Sequence, residues 1–232
     1  MARMLKPNPH SSDEGVMRHC LTLAEQSAAQ GEYPYAAVVV RDGKIVAQTT
    51  NRVAQERDVT RHAELVAISL AQQALGCTDL ADCTIYANFE PCALCCYAIR
   101  ESRIGKVVFS MRSPVMGGVS RWNILGDRTL SDTMPEVFAP PPAIVAEFLC
   151  EEASAVLRRS TPMAWAFMRS RGLLSLPSPQ QAGGNYATPR PVGLTGATEW
   201  IMRILRRNFF DRFGRGGGKR RARRGENVRP SP

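Results

Sequence analysis

The chain has 232 residues, of which 44% are hydrophobic, so it is long enough for one well-buried domain and an appendage. Its formal net charge is +9, and the whole excess lies in residues 177–232, because residues 1–176 contain equal numbers of basic and acidic side chains. A domain that holds a polyanion usually carries a basic excess, so the neutral part alone is not a typical nucleic-acid-binding domain. Seven cysteines, no long apolar stretch and no signal-peptide pattern predict a cytoplasmic protein without a membrane span.

The first part of the chain predicts a helix followed by a β-hairpin. Apolar residues recur at helical spacing over residues 11–30, and Ser11 and Glu14 have the spacing of a capping box. The β-branched run over residues 35–40 leads into Asp42-Gly43, a strong signal for a tight hairpin turn, and residues 45–50 form the returning strand.

Strands and helices alternate in the rest of the folded region. We expect Thr60 to cap a helix over residues 61–75 that ends at Gly76, and Pro91 to begin a helix over residues 92–102. Further strands are predicted at 83–88, 102–109 and 143–146, and further helices at 149–159 and 161–171. This alternation after an antiparallel hairpin predicts an α/β fold, a three-layer α/β/α sandwich with a mixed five-stranded sheet.

Two short motifs supply side chains for a metal centre. The first is His62-Ala63-Glu64, and the second is Pro91-Cys92-Ala93-Leu94-Cys95. One imidazole and two thiolates suit zinc, and a zinc site with three protein ligands keeps its fourth position for water. Helix N-termini also stabilise thiolates. We therefore predict one catalytic zinc ion per chain, bound by His62, Cys92 and Cys95, with Glu64 moving protons.

A structural zinc site, or no metal at all, is the alternative interpretation. A structural site needs a fourth protein ligand, and the nearest candidate is Cys96. Because Cys96 directly follows Cys95 in a predicted helix, its side chain should point elsewhere. The catalytic interpretation is favoured on this ground.

The order H-x-E and then P-C-x-x-C is the signature of zinc deaminases, and the chain resembles the cytidine deaminase superfamily. The resemblance is greatest to the branch of tRNA-adenosine and guanine deaminases, and it extends over residues 16–157. It implies that Asn51 hydrogen-bonds the substrate base and that the start of the first strand, with Pro34 and Ala36, lines the base pocket.

The same resemblance implies that Glu90 and Pro91, at the turn before the first cysteine, contribute to substrate binding. It also implies that the protein is a homodimer. The family pattern is lost in the loop over residues 116–122. This loop is either a substrate lid, in which Trp122 stacks on the base, or a packed connection.

The chain divides into four segments. A flexible N-terminus covers 1–11, the deaminase domain 12–175, a Pro/Gly-rich linker 176–197 and a basic tail 198–232. Residues 199–213 combine aromatic and aliphatic side chains with arginines and are compatible with a basic amphipathic helix, whereas residues 214–232 are expected to be disordered. The tail would bind RNA, adhere to an anionic membrane, or remain a solvated appendage.

Three functions remain open from the sequence. The leading one is zinc-dependent hydrolytic deamination of a free nucleobase or nucleoside, with guanine, cytosine and adenosine as candidates. The first alternative is a tRNA-specific adenosine-to-inosine deaminase, favoured by the S-R-I-G segment at 102–105, by the position of Asn51 and by the basic tail. The second alternative is a non-catalytic binding module stabilised by zinc. In both enzymes Glu64 would take a proton from water, protonate the ring nitrogen and then, in a separate transfer, protonate the leaving amine.

Overall fold

The computed structural model describes residues 12–175. In chain order the elements of this part are α1 (Asp13–Ala29), β1 (Ala36–Arg41), β2 (Lys44–Thr50), α2 (Val53–Glu56), α3 (Ala63–Leu75), β3 (Cys83–Phe89), α4 (Ala93–Glu101), β4 (Lys106–Met111), α5 (Arg128–Thr133), β5 (Ala143–Val145), α6 (Cys150–Ser160) and α7 (Pro162–Ser170). The predicted N-terminal segment 1–11, the linker and the basic tail lie outside the described residues.

The sheet has the strand order β2-β1-β3-β4-β5. Strand β1 pairs antiparallel with both β2 and β3, whereas the pairs β3–β4 and β4–β5 are parallel. The hairpin turns through Asp42 and Gly43, both with positive φ, as a tight two-residue turn requires. The mixed five-stranded sheet is therefore confirmed.

Alternate residues of β1 pack into different hydrophobic clusters, as the two-residue period of a strand requires. Ala37 and Val39 join a cluster with α3 and α4, while Val38 and Val40 join a cluster with α1. This strand is buried on both faces, which explains its uninterrupted apolar sequence. The helices on the two faces complete the predicted three layers.

Three predicted helix starts are wrong in detail. Helix α1 is capped by Ser12, whose side chain accepts a hydrogen bond from the Gly15 amide. Thr60 caps nothing, because its amide and its hydroxyl both donate to the Asp58 carboxylate. The cap positions of α3 and α4 belong instead to His62 and Cys92, so Pro91 precedes α4 rather than forming its first turn.

Two helices, α2 and α5, were not predicted. They contain four and six residues, too few to show a helical period in the sequence. Within the described residues, no helix combines the length and the apolar character needed to cross a membrane.

The connection between β4 and β5 is held by a buried arginine on α4. Arg100 is 1% exposed, and its guanidinium donates to the backbone carbonyls of Ile124, Asp127 and Ala139 at 2.8–2.9 Å. Burial lowers the pKa of this guanidinium. Helix α4 therefore positions both the second zinc motif and the long loop that follows β4.

Candidate active site

The two zinc motifs meet at the N-termini of α3 and α4. His62 is the N-cap residue of α3, Cys92 is that of α4, and Cys95 lies in the first turn of α4. Neither N-cap side chain makes a capping hydrogen bond. The imidazole and the thiols are therefore free to turn towards one another, while the free amides of both helix ends face the same region.

The three ligand atoms form a nearly equilateral triangle. The Nδ1 atom of His62 lies 3.5 Å from the Sγ atoms of both Cys92 and Cys95, and the two sulfurs are 3.6 Å apart. Tetrahedral zinc with ordinary bond lengths would separate its ligand atoms by about 3.5–3.8 Å. The donor set and its spacing therefore fit zinc.

Electrostatics within the triangle favour a thiolate. The hydrogen bond shared with Cys95, aided by His62, lowers the pKa of Cys92 to about 4. The same shared hydrogen bond, followed by burial, raises the pKa of Cys95, and contact with Cys92 raises that of His62. Metal ligation requires deprotonated sulfur, so the arrangement has one thiolate ready before the metal binds.

Cys96 does not join the triangle. Its buried Sγ atom lies 3.3 Å from the carbonyl oxygen of Pro91, and the cluster that can hold a metal comprises His62, Cys92 and Cys95. Within residues 12–175 no fourth ligand completes this cluster. The arrangement matches an open, three-ligand site rather than a closed structural one.

Glu64 lies in the first turn of α3, two residues after the imidazole. It is 8% exposed, and burial raises the pKa of its carboxyl group to about 6. The amide of Glu64 itself and the Cys95 thiol partly oppose this rise. A carboxyl group with a pKa near neutrality, beside a metal site, can both accept and donate a proton.

Asn51 lies directly after β2 and is 2% exposed. Its backbone amide donates to the carbonyl of Tyr35 at 2.8 Å, and its Nδ2 atom donates to the carboxylate of Glu32 at 3.0 Å. The next residue, Arg52, donates its amide to the carbonyl of Arg61, the neighbour of His62. These contacts tie the segment that follows β2 to the start of α3, where His62 lies.

The start of β1 is fixed by Asn88 near the end of β3. The amide nitrogen of Asn88 donates to the carbonyl of Pro34 at 2.8 Å, and its oxygen accepts from the Ala36 amide at 2.9 Å. Tyr35, between them, has its pKa raised to about 12 by burial and by the charges of neighbouring groups, including Glu64. Asn88 therefore fixes the backbone at both predicted pocket residues, Pro34 and Ala36.

Glu90, which the resemblance placed among the substrate-binding residues, lies before α4 and is 4% exposed. Its carboxylate accepts hydrogen bonds from the amides of Ser113, Val119 and Ser120 and from the Ser120 hydroxyl. Pro91 likewise uses its carbonyl to accept from the Gly118 amide at 2.8 Å. These four hydrogen bonds tie Glu90 to the loop after β4, and its contribution to substrate binding stays a prediction.

That loop is a packed connection near the zinc motif. Gly117 forms a backbone bridge with Cys92, and a Cβ atom at Gly117 or Gly118 would overlap Glu90 or Cys96, respectively. Trp122, which was predicted to contact substrate, is 55% exposed and carries the guanidinium of Arg121 over its ring at 4.9 Å. Its role as a base-stacking residue stays a prediction.

Two residues at the site were missed by sequence reasoning, Glu32 and Asn88. Both are buried polar side chains, 4% and 3% exposed, next to apolar strands. A charged or amide residue at the end of an apolar strand was the available signal, because a buried polar group needs partners. Their partners, however, lie 19 to 54 residues away in the chain and cannot be read from local sequence.

Comparison with known proteins agrees with this geometry. Residues 10–111 match the cytidine and deoxycytidylate deaminase zinc-binding region. Over 145 residues the chain is 36% identical to a tRNA-specific adenosine deaminase of Aquifex aeolicus. This alignment covers 62% of this chain and 90% of the relative.

Solved structures give the same assignment. One, from a study of A-to-I editing by tRNA:A34 deaminases, is 30% identical, with a TM-score of 0.55 over 61% of this chain and 97% of that one. A guanine deaminase from Nitrosomonas europaea is 26% identical, with a TM-score of 0.53 over 67% of this chain and 87% of that one. With its His-Cys-Cys triangle and its mixed sheet, the chain belongs to the cytidine deaminase superfamily of zinc-dependent deaminases, hydrolases that act on the C–N bonds of nucleobases and nucleosides.

Proposed function

We propose that the protein deaminates adenosine within an RNA, converting it to inosine with release of ammonia. The observation that carries this proposal is the partial exposure of two predicted metal ligands, His62 and Cys92, beside a loop that is tied down by Glu90. A free base is usually enclosed by protein over most of its surface. Within residues 12–175 the site is open and the neighbouring loop is tied down. Such a site suits a base that is still attached to a polymer, because the polymer itself shields the open side.

Three arginine–aromatic pairs whose arginines are exposed give this proposal a second support. Arg121 stacks on Trp122, and on α7 and just after it Arg169 stacks on Trp165 and Arg171 on Phe167. Such pairs combine a cation for the phosphate backbone with a ring face for a base. We propose that the basic tail adds further phosphate contacts.

In this proposal His62, Cys92 and Cys95 would hold the zinc ion, whose chemistry is to lower the pKa of water towards about 7. Glu64 takes a proton from the attacking water and delivers it to the ring nitrogen. It then takes the remaining hydroxyl proton of the adduct and delivers it to the leaving amine, so that ammonia departs and a carbonyl remains. Asn51 hydrogen-bonds the base edge. The backbone from Pro34 to Ala36, held by Asn88, forms one wall of the pocket.

A free purine base is the second candidate substrate. It is favoured by the zero net charge of residues 1–176, which is unusual for a domain that binds RNA, and by the structural similarity to a guanine deaminase. The leading interpretation from sequence, a free-base or nucleoside deaminase, is thus kept as the alternative.

The test is ammonia release and inosine formation by the zinc-loaded protein on an RNA stem-loop with adenosine in its loop, on free adenosine and on guanine. A variant with the arginines of residues 203–224 changed to glutamine serves as the tail control. Turnover of the stem-loop alone, reduced in the tail variant, is expected. Turnover of guanine without turnover of RNA would overturn the proposal in favour of the second candidate.

We also propose that the protein is a cytoplasmic homodimer. All seven cysteines are free, which agrees with a reducing compartment, and α4 exposes Leu94 and Tyr97 on its outer face next to the site. Analytical ultracentrifugation of the wild type and of Leu94→Glu should show a dimer that the substitution weakens.

A further inference from the structure

We propose that Glu32 is a positioning residue that fixes the orientation of the Asn51 amide, so that the amide oxygen remains as the acceptor offered to the substrate. This inference rests on the substrate role proposed above for Asn51. It concerns a residue other than the proposed metal ligands and the proposed proton carrier.

Glu32 lies between α1 and β1 and is 4% exposed. Its Oε1 atom accepts from the Tyr33 amide at 2.9 Å and from Nδ2 of Asn51 at 3.0 Å. Its Oε2 atom accepts from the amides of Ala54 and Gln55, both at 2.9 Å, at the start of the short helix α2. Both oxygens are thus engaged, and three of the four donors are backbone amides that cannot rotate away.

A carboxylate can only accept hydrogen bonds, whereas an asparagine amide has a donor end and an acceptor end. The end of Asn51 that faces Glu32 must therefore be the nitrogen. Rotating the amide by half a turn would place its oxygen against the carboxylate oxygen and would leave a buried group unpaired. Glu32 thus selects one of the two orientations of Asn51.

The selected orientation has a consequence for recognition. Among residues 12–175, the Oδ1 atom of Asn51 is not used in the contacts that hold this side chain, which run through Nδ2 and the backbone amide. A base that presents an N–H group to Asn51 would find an acceptor already oriented. This pre-orientation avoids the cost of ordering the amide during binding.

The attachment of Asn51 to the rest of the site is equally firm. Its backbone amide donates a hydrogen bond to the carbonyl of Tyr35, and the amide of Arg52 donates to the carbonyl of Arg61, which precedes His62. Glu32 also accepts hydrogen bonds from the start of α2, which begins two residues after Asn51. One buried carboxylate therefore orders both the side chain and the backbone around it.

The first test is a double-mutant cycle of Glu32→Gln and Asn51→Ala, with kcat/KM measured on the RNA stem-loop. A glutamine offers its oxygen to one pair of donors and its amide nitrogen to the other, so it allows Asn51 to turn over. We expect Glu32→Gln to lower kcat/KM by about tenfold or more in the wild type but less than about twofold when Asn51 is already alanine. Equal losses in both backgrounds would overturn the proposal.

The second test pairs Asn51→Asp with the double variant Glu32→Gln/Asn51→Asp. The single variant places two carboxylates against each other, whereas the double variant restores a donor–acceptor pair and still leaves an oxygen for the base. Recovery of both unfolding midpoint and kcat/KM in the double variant is expected. Recovery of the unfolding midpoint without any recovery of kcat/KM would show that Glu32 has only a structural role and would overturn the proposal.

A spectroscopic readout separates this proposal from the proposed function. With asparagine labelled by ¹⁵N, Glu32→Gln should shift the side-chain amide resonances of Asn51, whereas Glu25→Gln, at a carboxylate paired with Arg159, should not. Unchanged Asn51 resonances in Glu32→Gln would contradict the orientation argument. If the wild type fails to act on RNA while the resonances shift as expected, the substrate assignment is wrong and the positioning role stands.

Discussion

Glu64 and Glu90 are both buried carboxylates next to the zinc motifs, yet their surroundings differ in kind. Glu90 receives four hydrogen bonds from the loop after β4, three of them from backbone amides. The hydrogen bonds to Glu64 only partly offset its burial, which raises the pKa of its carboxyl group to about 6. A carboxylate saturated by fixed donors holds structure, whereas one that burial leaves poorly solvated is available for proton transfer.

The largest effect is expected for the loss of kcat in Glu64→Gln, which tests the catalytic role of this carboxylate. Glu64→Gln keeps the shape of the side chain but removes its ability to carry a proton, so kcat should fall by about 10²–10⁴-fold. Zinc content per chain and the unfolding midpoint should stay close to wild type, because His62, Cys92 and Cys95 are untouched. A kcat within a few-fold of wild type would show that another group carries the proton.

The matching substitution on the structural side is Glu90→Gln. A glutamine amide must direct its N–H groups at one pair of the loop donors, which leaves those amides unpaired. The free energy of unfolding should fall by about 2 kcal/mol, measured by urea denaturation, with a smaller loss of kcat than in Glu64→Gln. Glu101→Gln, at an exposed position on α4, is the control and should leave stability unchanged. A larger loss of kcat in Glu90→Gln than in Glu64→Gln would reverse the two roles.

A partly exposed carboxylate provides the smallest expected effect. Asp13 accepts hydrogen bonds from Lys106 and Tyr86, which lower its pKa below the usual 3.8, and its side chain is 44% exposed. Its stabilising contribution is therefore present above pH 3.8 and is lost as the pH falls through the lower folded-state pKa. Because solvent screens the pair, Asp13→Asn should cost no more than about 1 kcal/mol at pH 7.

The measurement is urea denaturation of the wild type and Asp13→Asn at pH 7 and at pH 3. The difference between the two proteins should shrink at the lower pH, where Asp13 begins to be protonated. A difference that grows on acidification would contradict the direction of the pKa shift.

The sequence was sufficient for the architecture because its signals are local. The β-branched run of β1, the Asp42-Gly43 turn and the Gly76 helix end each act within a few residues, and each predicted feature is present. The proximity of the two cysteine ligands was also accessible, since Cys92 at the N-cap and Cys95 in the first turn of α4 are three residues apart.

The partners of the buried carboxylates could not be predicted in the same way. Glu90 contacts residues 23 to 30 positions later in the chain, and Glu32 contacts Asn51 across 19 positions. The local sequence around a glutamate beside a metal motif is the same whether its carboxylate accepts several hydrogen bonds or few. What separates the two cases is the number of donors that folding brings to it, and this depends on loops without a periodic pattern.

The contact between Glu90 and the loop over residues 113–120 also limits how this scaffold can be re-engineered. The carboxylate, Gly117 and Gly118 fit together closely enough that a Cβ atom on either glycine would require neighbouring atoms to move. A loop grafted from another deaminase would therefore have to bring its own small residues and a matching acceptor at position 90. Residues 90–95 and the loop over residues 113–120 therefore form a single module that has to be exchanged as a unit.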